Sequence, residues 1–130
     1  MARKSSLPPL SERQLEIMNV IWDRGEATVG EVWAELSAAR KMVRNTVQTT
    51  VARLEEKGWL KHRAEGNTFY YRATQPSQDV RKRMARRLVD TVFEGSTEGL
   101  LLAILDEQPL SEDEAARIRQ LIDQATEKRS

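Results

Sequence analysis

The sequence contains no cysteine and a single histidine, His62. Disulfides, thiolate metal sites and cysteine nucleophiles are therefore excluded together. One imidazole also leaves little material for a histidine-rich metal centre or a histidine general base. No apolar run approaches the roughly 18 residues that a membrane span needs. The first ten residues, MARKSSLPPL, are charged without an apolar stretch, unlike a secretory signal. A strong net charge is missing too, because 21 Lys and Arg stand against 20 Asp and Glu, a formal charge of +1. That excludes a uniformly basic coat while leaving room for a locally basic face. There is no glycine-rich phosphate loop and no Gly-x-Ser-x-Gly motif, and the carboxylates fall in helix starts and on polar helix faces. An enzyme, a cofactor and a bound metal are not expected. What is present, 130 residues of which 39% are hydrophobic and 32% charged, suits a cytoplasmic, mainly helical binding protein of one small domain with an appendage.

The even charge total hides a segregation. Residues 1–75 hold 12 basic and 9 acidic side chains, residues 76–93 hold 5 and 2, and residues 94–130 hold 4 and 9. Within residues 40–72 the count is 8 basic to 3 acidic, with His62 in addition.

Residues 1–9, with two serines and two prolines, read as a flexible basic arm. Ser11-x-x-Gln14 has the form of a capping box and precedes Leu15, Met18, Ile21 and Trp22 at helical spacing, so a first helix is predicted from Glu12 to Arg24, stopped by Gly25. Thr28-x-x-Glu31 opens a second, from about Val29 to Ala38. After a turn through Arg40–Met42, a third is predicted from Arg44 to Lys57, ended by Gly58. Two strand-like runs, Trp59–Ala64 and Thr68–Arg72, flank Glu65-Gly66-Asn67, which reads as a hairpin with a three-residue turn. Pro76-Ser77 begins a fourth helix reaching Phe93, its apolar stripe being Val80, Met84, Leu88 and Val92. A fifth, short and very apolar, covers Thr97–Leu105. Ser111-x-x-Glu114 opens a sixth, with Ile118, Leu121, Ile122 and Ala125 along one face. Trp22, Trp33 and Trp59 sit beside apolar neighbours at element ends, where core packing is the expectation.

Three short helices followed by a basic two-stranded hairpin is the layout of a winged helix-turn-helix. The third helix carries the argument further. At 100° per residue Val47, Val51 and Leu54 fall within about 60° of one another and face inward. The opposite face carries Asn45, Thr46, Gln48, Thr49, Ala52 and Arg53, with no Glu or Lys before Glu55. Short polar and amide side chains lower helix propensity relative to Glu and Lys. They are the side chains that read base edges: Asn and Gln pair with adenine, Arg with guanine, and Thr methyls touch thymine. Arg40, Lys41 and Arg44 before this helix, and Lys61, His62, Arg63 and Asn67 in the hairpin, are placed to hold phosphates while the helix reads bases. With no second histidine or cysteine nearby, His62 reads as a surface residue of the wing rather than a metal ligand.

At the level of motifs, Met18-Asn19-Val20-Ile21-Trp22, the stretch from Asn45 to Leu54 (NTVQTTVARL) and Glu56-Lys57-Gly58-Trp59-Leu60 resemble the penicillinase-repressor family of the BlaI/MecI/CopY type. A weaker similarity continues through Leu100-Leu101-Leu102 and Ser111–Glu114, so the resemblance covers nearly the whole chain. It implies a homodimeric winged-helix transcriptional repressor on a palindromic double-stranded DNA operator, paired through C-terminal helices. It matches Asn45, Thr46, Gln48, Thr49 and Arg53 to groove-facing positions and sets Thr28, at a helix N-terminus, against phosphate. A sensor or protease partner that relieves repression belongs to the same expectation. Two departures stand out. Founding members are cleaved at an Asn-Phe bond in the fifth helix, where this chain has Ala103-Ile104. The C-terminal cysteine cluster of copper-responsive members is absent, which excludes that sensing device.

The organisation expected is an arm over 1–9, a DNA-binding domain over 10–75 and a helical dimerisation domain over 76–130. Val80, Met84, Leu88, Val92, Leu100, Leu101, Ile104, Ile118, Leu121 and Ile122 give the last region more apolar surface than three short helices can cover. About 800 Å² buried per subunit makes a standard interface, and a two-fold axis would present two recognition helices to half-sites about one DNA turn, or a multiple, apart. The alternative reading is a winged-helix module that binds protein without specific DNA recognition.

Overall fold

The computed structural model describes residues 7–40 and 42–129. The first six residues of the expected arm lie outside the described residues, as do Lys41 and the side chain of Arg40. The chain runs through α1 (Glu12–Arg24), α2 (Val29–Arg40), α3 (Arg44–Glu56), β1 (Leu60–Glu65), β2 (Thr68–Ala73), α4 (Ser77–Val92), α5 (Thr97–Glu107) and α6 (Glu112–Arg129). This is a mainly helical architecture with one antiparallel hairpin. None of the described helices is long and apolar enough to cross a membrane.

Local chemistry explains most boundaries. The Ser11 hydroxyl accepts the Gln14 N–H at 3.1 Å while the Gln14 side chain accepts the Ser11 N–H at 2.9 Å, which satisfies donors the first helical turn leaves open. Gly25 ends α1 with φ +82°, a conformation that costs glycine little. Thr28 and Glu31 repeat the reciprocal arrangement at α2, at 3.1 and 2.9 Å. α2 runs two residues past the predicted Ala38, continuing through Ala39 and Arg40, both good helix formers.

The α2 cap yields a direct expectation. Thr28→Ala should lower stability to urea by about 1 kcal/mol, with no change for a substitution at exposed Gln78. The Glu31 carboxyl is held below its ordinary range chiefly by the Thr28 backbone N–H, with help from Arg24. Its contribution is therefore present above the unfolded carboxyl pKa of about 4.3 and is lost as pH falls through the lower folded value. A Glu31→Gln penalty that persists undiminished in strong acid would contradict that contribution.

The chain divides into two compact units, Met1–Met84 and Ala85–Ser130, the division falling inside α4. In the first, Ile17, Met18 and Ile21 of α1, Val32 of α2 and Val47, Val51 and Leu54 of α3 close over Trp59, Leu60 and Tyr71 of the hairpin region. The three tryptophans bury or half-bury their rings as expected, and each indole N–H donates to a distant carbonyl: Trp22 to Gln75, Trp33 to Met42 and Trp59 to Pro8, all at 2.9 Å. A buried indole needs such an acceptor. The Trp59 bond, with Leu7 and Leu10 packed on the core, ties down residues 7–10, so the expected arm is anchored over its last three residues.

The wing turn differs from expectation. Glu65 pairs with Thr68, leaving a two-residue turn of Gly66 and Asn67 instead of three. Gly66 has φ +63° and Asn67 does not take a positive φ, the pattern of a type II′ turn, whose first position favours glycine. The segment before α2 adds a third, one-residue strand: Ala27 and Tyr71 exchange backbone hydrogen bonds of 2.8 and 2.9 Å.

In α4 one expectation is corrected. Val80, counted with the dimerisation residues, is 2% exposed and belongs to the core of its own chain. The first turns of α4 follow directly from β2, which seats Val80 against that core. In the second unit Val89 is buried, a position the four-residue stripe did not include. Met84, Leu88, Val92, Leu101, Ile104, Leu121 and Ile122 remain exposed, as do Leu102 and Leu105, while Leu100 and Ile118 are half-buried. No residue of α5 is buried.

Candidate nucleic-acid interface

α3 is fastened to the core by Val47, Val51 and Leu54, which are fully buried. That fixes its rotation. Asn45, Gln48, Thr49, Ala52 and Arg53 are left exposed, and Thr46 is half-buried. Val43, at the N-cap of α3, makes no side-chain capping bond, and the Thr46 and Val47 N–H groups donate to its carbonyl at 3.1 and 3.3 Å. Among the described residues, Asn45, Thr46, Gln48, Thr49 and Arg53 share one helix with nothing of this chain hydrogen-bonded to their side chains, apart from bonds within α3. The Thr50 hydroxyl donates to the Thr46 carbonyl at 2.7 Å.

Around this helix the expected phosphate-binding groups fall into two kinds. Arg44 is exposed, and its guanidinium passes over the first turn of α2: a Cβ on Gly30 would meet it at 3.5 Å. A cation and a helix N-terminus thus converge, an arrangement that attracts anions. Thr28 stands at the same end, but its hydroxyl and its own N–H are both engaged in the α2 cap. Lys61 is exposed on β1 directly opposite Arg72 on β2, two cations side by side on one face of the wing. Asn67 is exposed at the wing tip.

His62 and Arg63 are held by their own chain. The His62 Nδ1 lies 2.5 Å from a carboxylate oxygen of Glu55, in the last turn of α3, and its ring stacks on Phe69 at 4.1 Å and tilts against Tyr71 at 5.4 Å. The imidazole therefore pins the wing to α3. Burial, and secondarily the Glu55 charge, pushes the Tyr71 hydroxyl above its ordinary pKa. Arg63 faces the other side of the sheet. Its Nε and Nη2 donate to the two carboxylate oxygens of Glu26 at 2.8 and 2.9 Å, its Nη1 lies 3.6 Å from Glu65, and its plane covers the Tyr70 ring at 4.4 Å. The hydrogen bond from Arg63 holds the Glu26 carboxyl below its usual range, and the same bond raises the Arg63 pKa. Glu26 and Glu55 were not anticipated from sequence. Each is remote in the chain from its partner, and nothing in the local pattern marks either one.

Comparison with known proteins places this geometry. The profile of the penicillinase repressor family matches residues 10–124. The penicillinase repressor of Bacillus licheniformis is 29% identical over 118 residues, covering 91% of this chain and 92% of that protein. The solution structure of the DNA-binding domain of the repressor BlaI aligns with 57% of this chain and 90% of that one, at 36% identity and a TM-score of 0.52. A solution structure of Bacillus licheniformis BlaI in its monomeric form, in complex with the blaP half-operator, aligns over the same shares at 36% identity and a TM-score of 0.50. With a winged helix at its N-terminus and the family profile spanning nearly its whole length, this chain belongs to the penicillinase repressor family, a family of transcriptional repressors.

Proposed function

We propose that the protein represses transcription by binding a palindromic operator in double-stranded DNA as a homodimer. The observation that carries this reading is the outer face of α3, where Asn45, Gln48, Thr49 and Arg53 stand exposed over a helix locked by three buried apolar residues. A rigid helix with base-reading side chains is suited to a major groove. A solved relative at 36% identity is bound to a half-operator, which supports DNA binding by this winged helix.

In this reading Asn45, Thr46, Gln48, Thr49 and Arg53 face the groove. Arg44, the N-terminus of α2 beside Thr28, and the wing residues Lys61 and Asn67 hold the backbone. His62 acts through the position of the wing. The DNA-binding domain over 10–75 leads into the helical region over 76–130, which begins with α4, and the exposed apolar side chains from Met84 onward pair two copies. Two linked recognition helices make weak half-site affinities usable together.

Selection of bound sequences from a random duplex pool tests the proposal directly: an inverted repeat should emerge. Gln48→Ala is then expected to cost about 1–3 kcal/mol on the selected operator and to relax base preference at one position of each half-site. Lys61→Ala should weaken operator and random duplex alike and flatten the logarithmic salt dependence by about one unit. Equal loss on random DNA would remove Gln48 from base reading, and a pool that yields no repeat would refute operator recognition itself.

A further inference from the structure

The Glu26–Arg63 pair has a property that a wing cation meant only for DNA does not need. Arg63 lies on β1 opposite Tyr70, two residues before the pair that closes the wing turn. Strand alternation puts Lys61, Arg63 and Glu65 on one face of the hairpin, with Tyr70 and Arg72 across from them. Glu26 precedes Ala27, which bridges to Tyr71, and so its side chain reaches that same face from the far edge of the sheet. The carboxylate then meets the guanidinium fork with both oxygens on two nitrogens. This is the geometry with which arginine grips phosphate. Glu65 neutralises the third nitrogen from 3.6 Å.

Resting on the operator-binding reading, we infer that Glu26 is a built-in stand-in for DNA phosphate, which occupies Arg63 and so lowers the affinity of the protein for duplex DNA irrespective of sequence. The pair is exposed enough to exchange: the Arg63 side chain is 51% and the Glu26 side chain 34% accessible. Exposed ion pairs are held weakly, so a phosphate can take the place of the carboxylate. It must first displace a charge, and it then lies beside two repelling carboxylates, Glu26 and Glu65. Sequence-independent binding consists almost wholly of such phosphate contacts and the counterions they release. It is therefore the component this pair suppresses most, while contacts from α3 to bases are untouched. Glu26 in this role scales affinity for operator and bulk DNA alike.

The test uses the full chain, a random-sequence duplex and the selected operator, with affinity read by fluorescence anisotropy across a salt series. Glu26→Gln keeps the size of the side chain and one acceptor but removes its charge. It is expected to tighten binding to the random duplex about two- to fivefold at low salt and to steepen the logarithmic salt slope by about one unit. In an Arg63→Gln background the same substitution should give no gain. Loss of affinity with a lowered melting temperature would make Glu26 a structural staple and overturn the inference. An equal gain in the Arg63→Gln background would also overturn it, because the effect would then be one of general charge. A wild-type chain that binds neither duplex sinks the operator reading. A wild-type chain that selects its operator while Glu26→Gln gains nothing sinks this inference alone.

Discussion

A chain carrying Leu121→Glu and Ile122→Glu is expected to sediment as a monomer at micromolar concentration and to lose about a hundredfold or more in operator affinity. Leu121 and Ile122 are 63% and 50% exposed on α6, and Leu102 on α5 is 60% exposed. The charge on this stretch does not explain their exposure as a solvated face, since α5 carries a continuous apolar run from Leu100 to Leu105 and buries none of it. Apolar surface on this scale marks an interaction site. A second copy of the same chain satisfies it symmetrically, because an isologous interface sets each patch against its equivalent. Two carboxylates placed in such a seam lose their hydration without gaining a partner, which opposes pairing strongly. Each monomer keeps its recognition helix, so half-site binding should survive while the avidity of linked sites, commonly 10²–10⁴-fold, disappears. Sedimentation velocity and operator titration read the two effects separately. A variant that remains dimeric would remove Leu121 and Ile122 from the pairing surface, and a monomer that binds the full operator as tightly as the wild type would remove pairing from operator affinity.

Leu54→Ala should strongly destabilise the N-terminal unit. Leu54 is completely buried and lies where α3 meets the start of the wing, and its carbonyl accepts the Trp59 N–H at 2.9 Å. Removing three carbons there loses burial and leaves a cavity between α3 and β1. The expected cost is about 2–5 kcal/mol in urea unfolding, a large share of the 5–15 kcal/mol that holds a typical domain together. DNA binding should fall with it, but operator and random duplex should suffer equally. Gln48→Ala, one helix face away, should leave unfolding within about 0.5 kcal/mol of the wild type while relaxing base preference at one position of each half-site. A Leu54→Ala penalty below about 1 kcal/mol would mean that α3 is not anchored as the core indicates, and the rotation of its reading face would lose its basis.

The contrast between those two neighbours shows what a one-dimensional reading can reach. Helix starts at Ser11, Thr28 and Ser111 were legible because a capping hydroxyl and the Gln or Glu whose N–H donates to it lie three residues apart. Inward Val47, Val51 and Leu54 followed from helical periodicity alone. By the same logic the outer face of α3, with Asn45, Gln48, Thr49 and Arg53, was written in its spacing. The wing was also visible as a hairpin, although Glu65 joined the ladder and shortened the turn to Gly66-Asn67.

His62 and Arg63 show where that reading ends. As two consecutive polar residues on a basic strand they looked equivalent, yet alternation along β1 sends them to opposite faces, one to Glu55 and the other to Glu26. Val80 and Val92 likewise occupied one apolar stripe, and one is sealed in the core while the other is 62% exposed. Periodicity and capping act over three or four residues, so they are inscribed in local order and specify the helices, the hairpin and the exposed polar face of α3. Which cations are free and which apolar groups are covered depends on partners 7 to 37 residues away, brought together only when the sheet edge, the wing and the helices close on a common core.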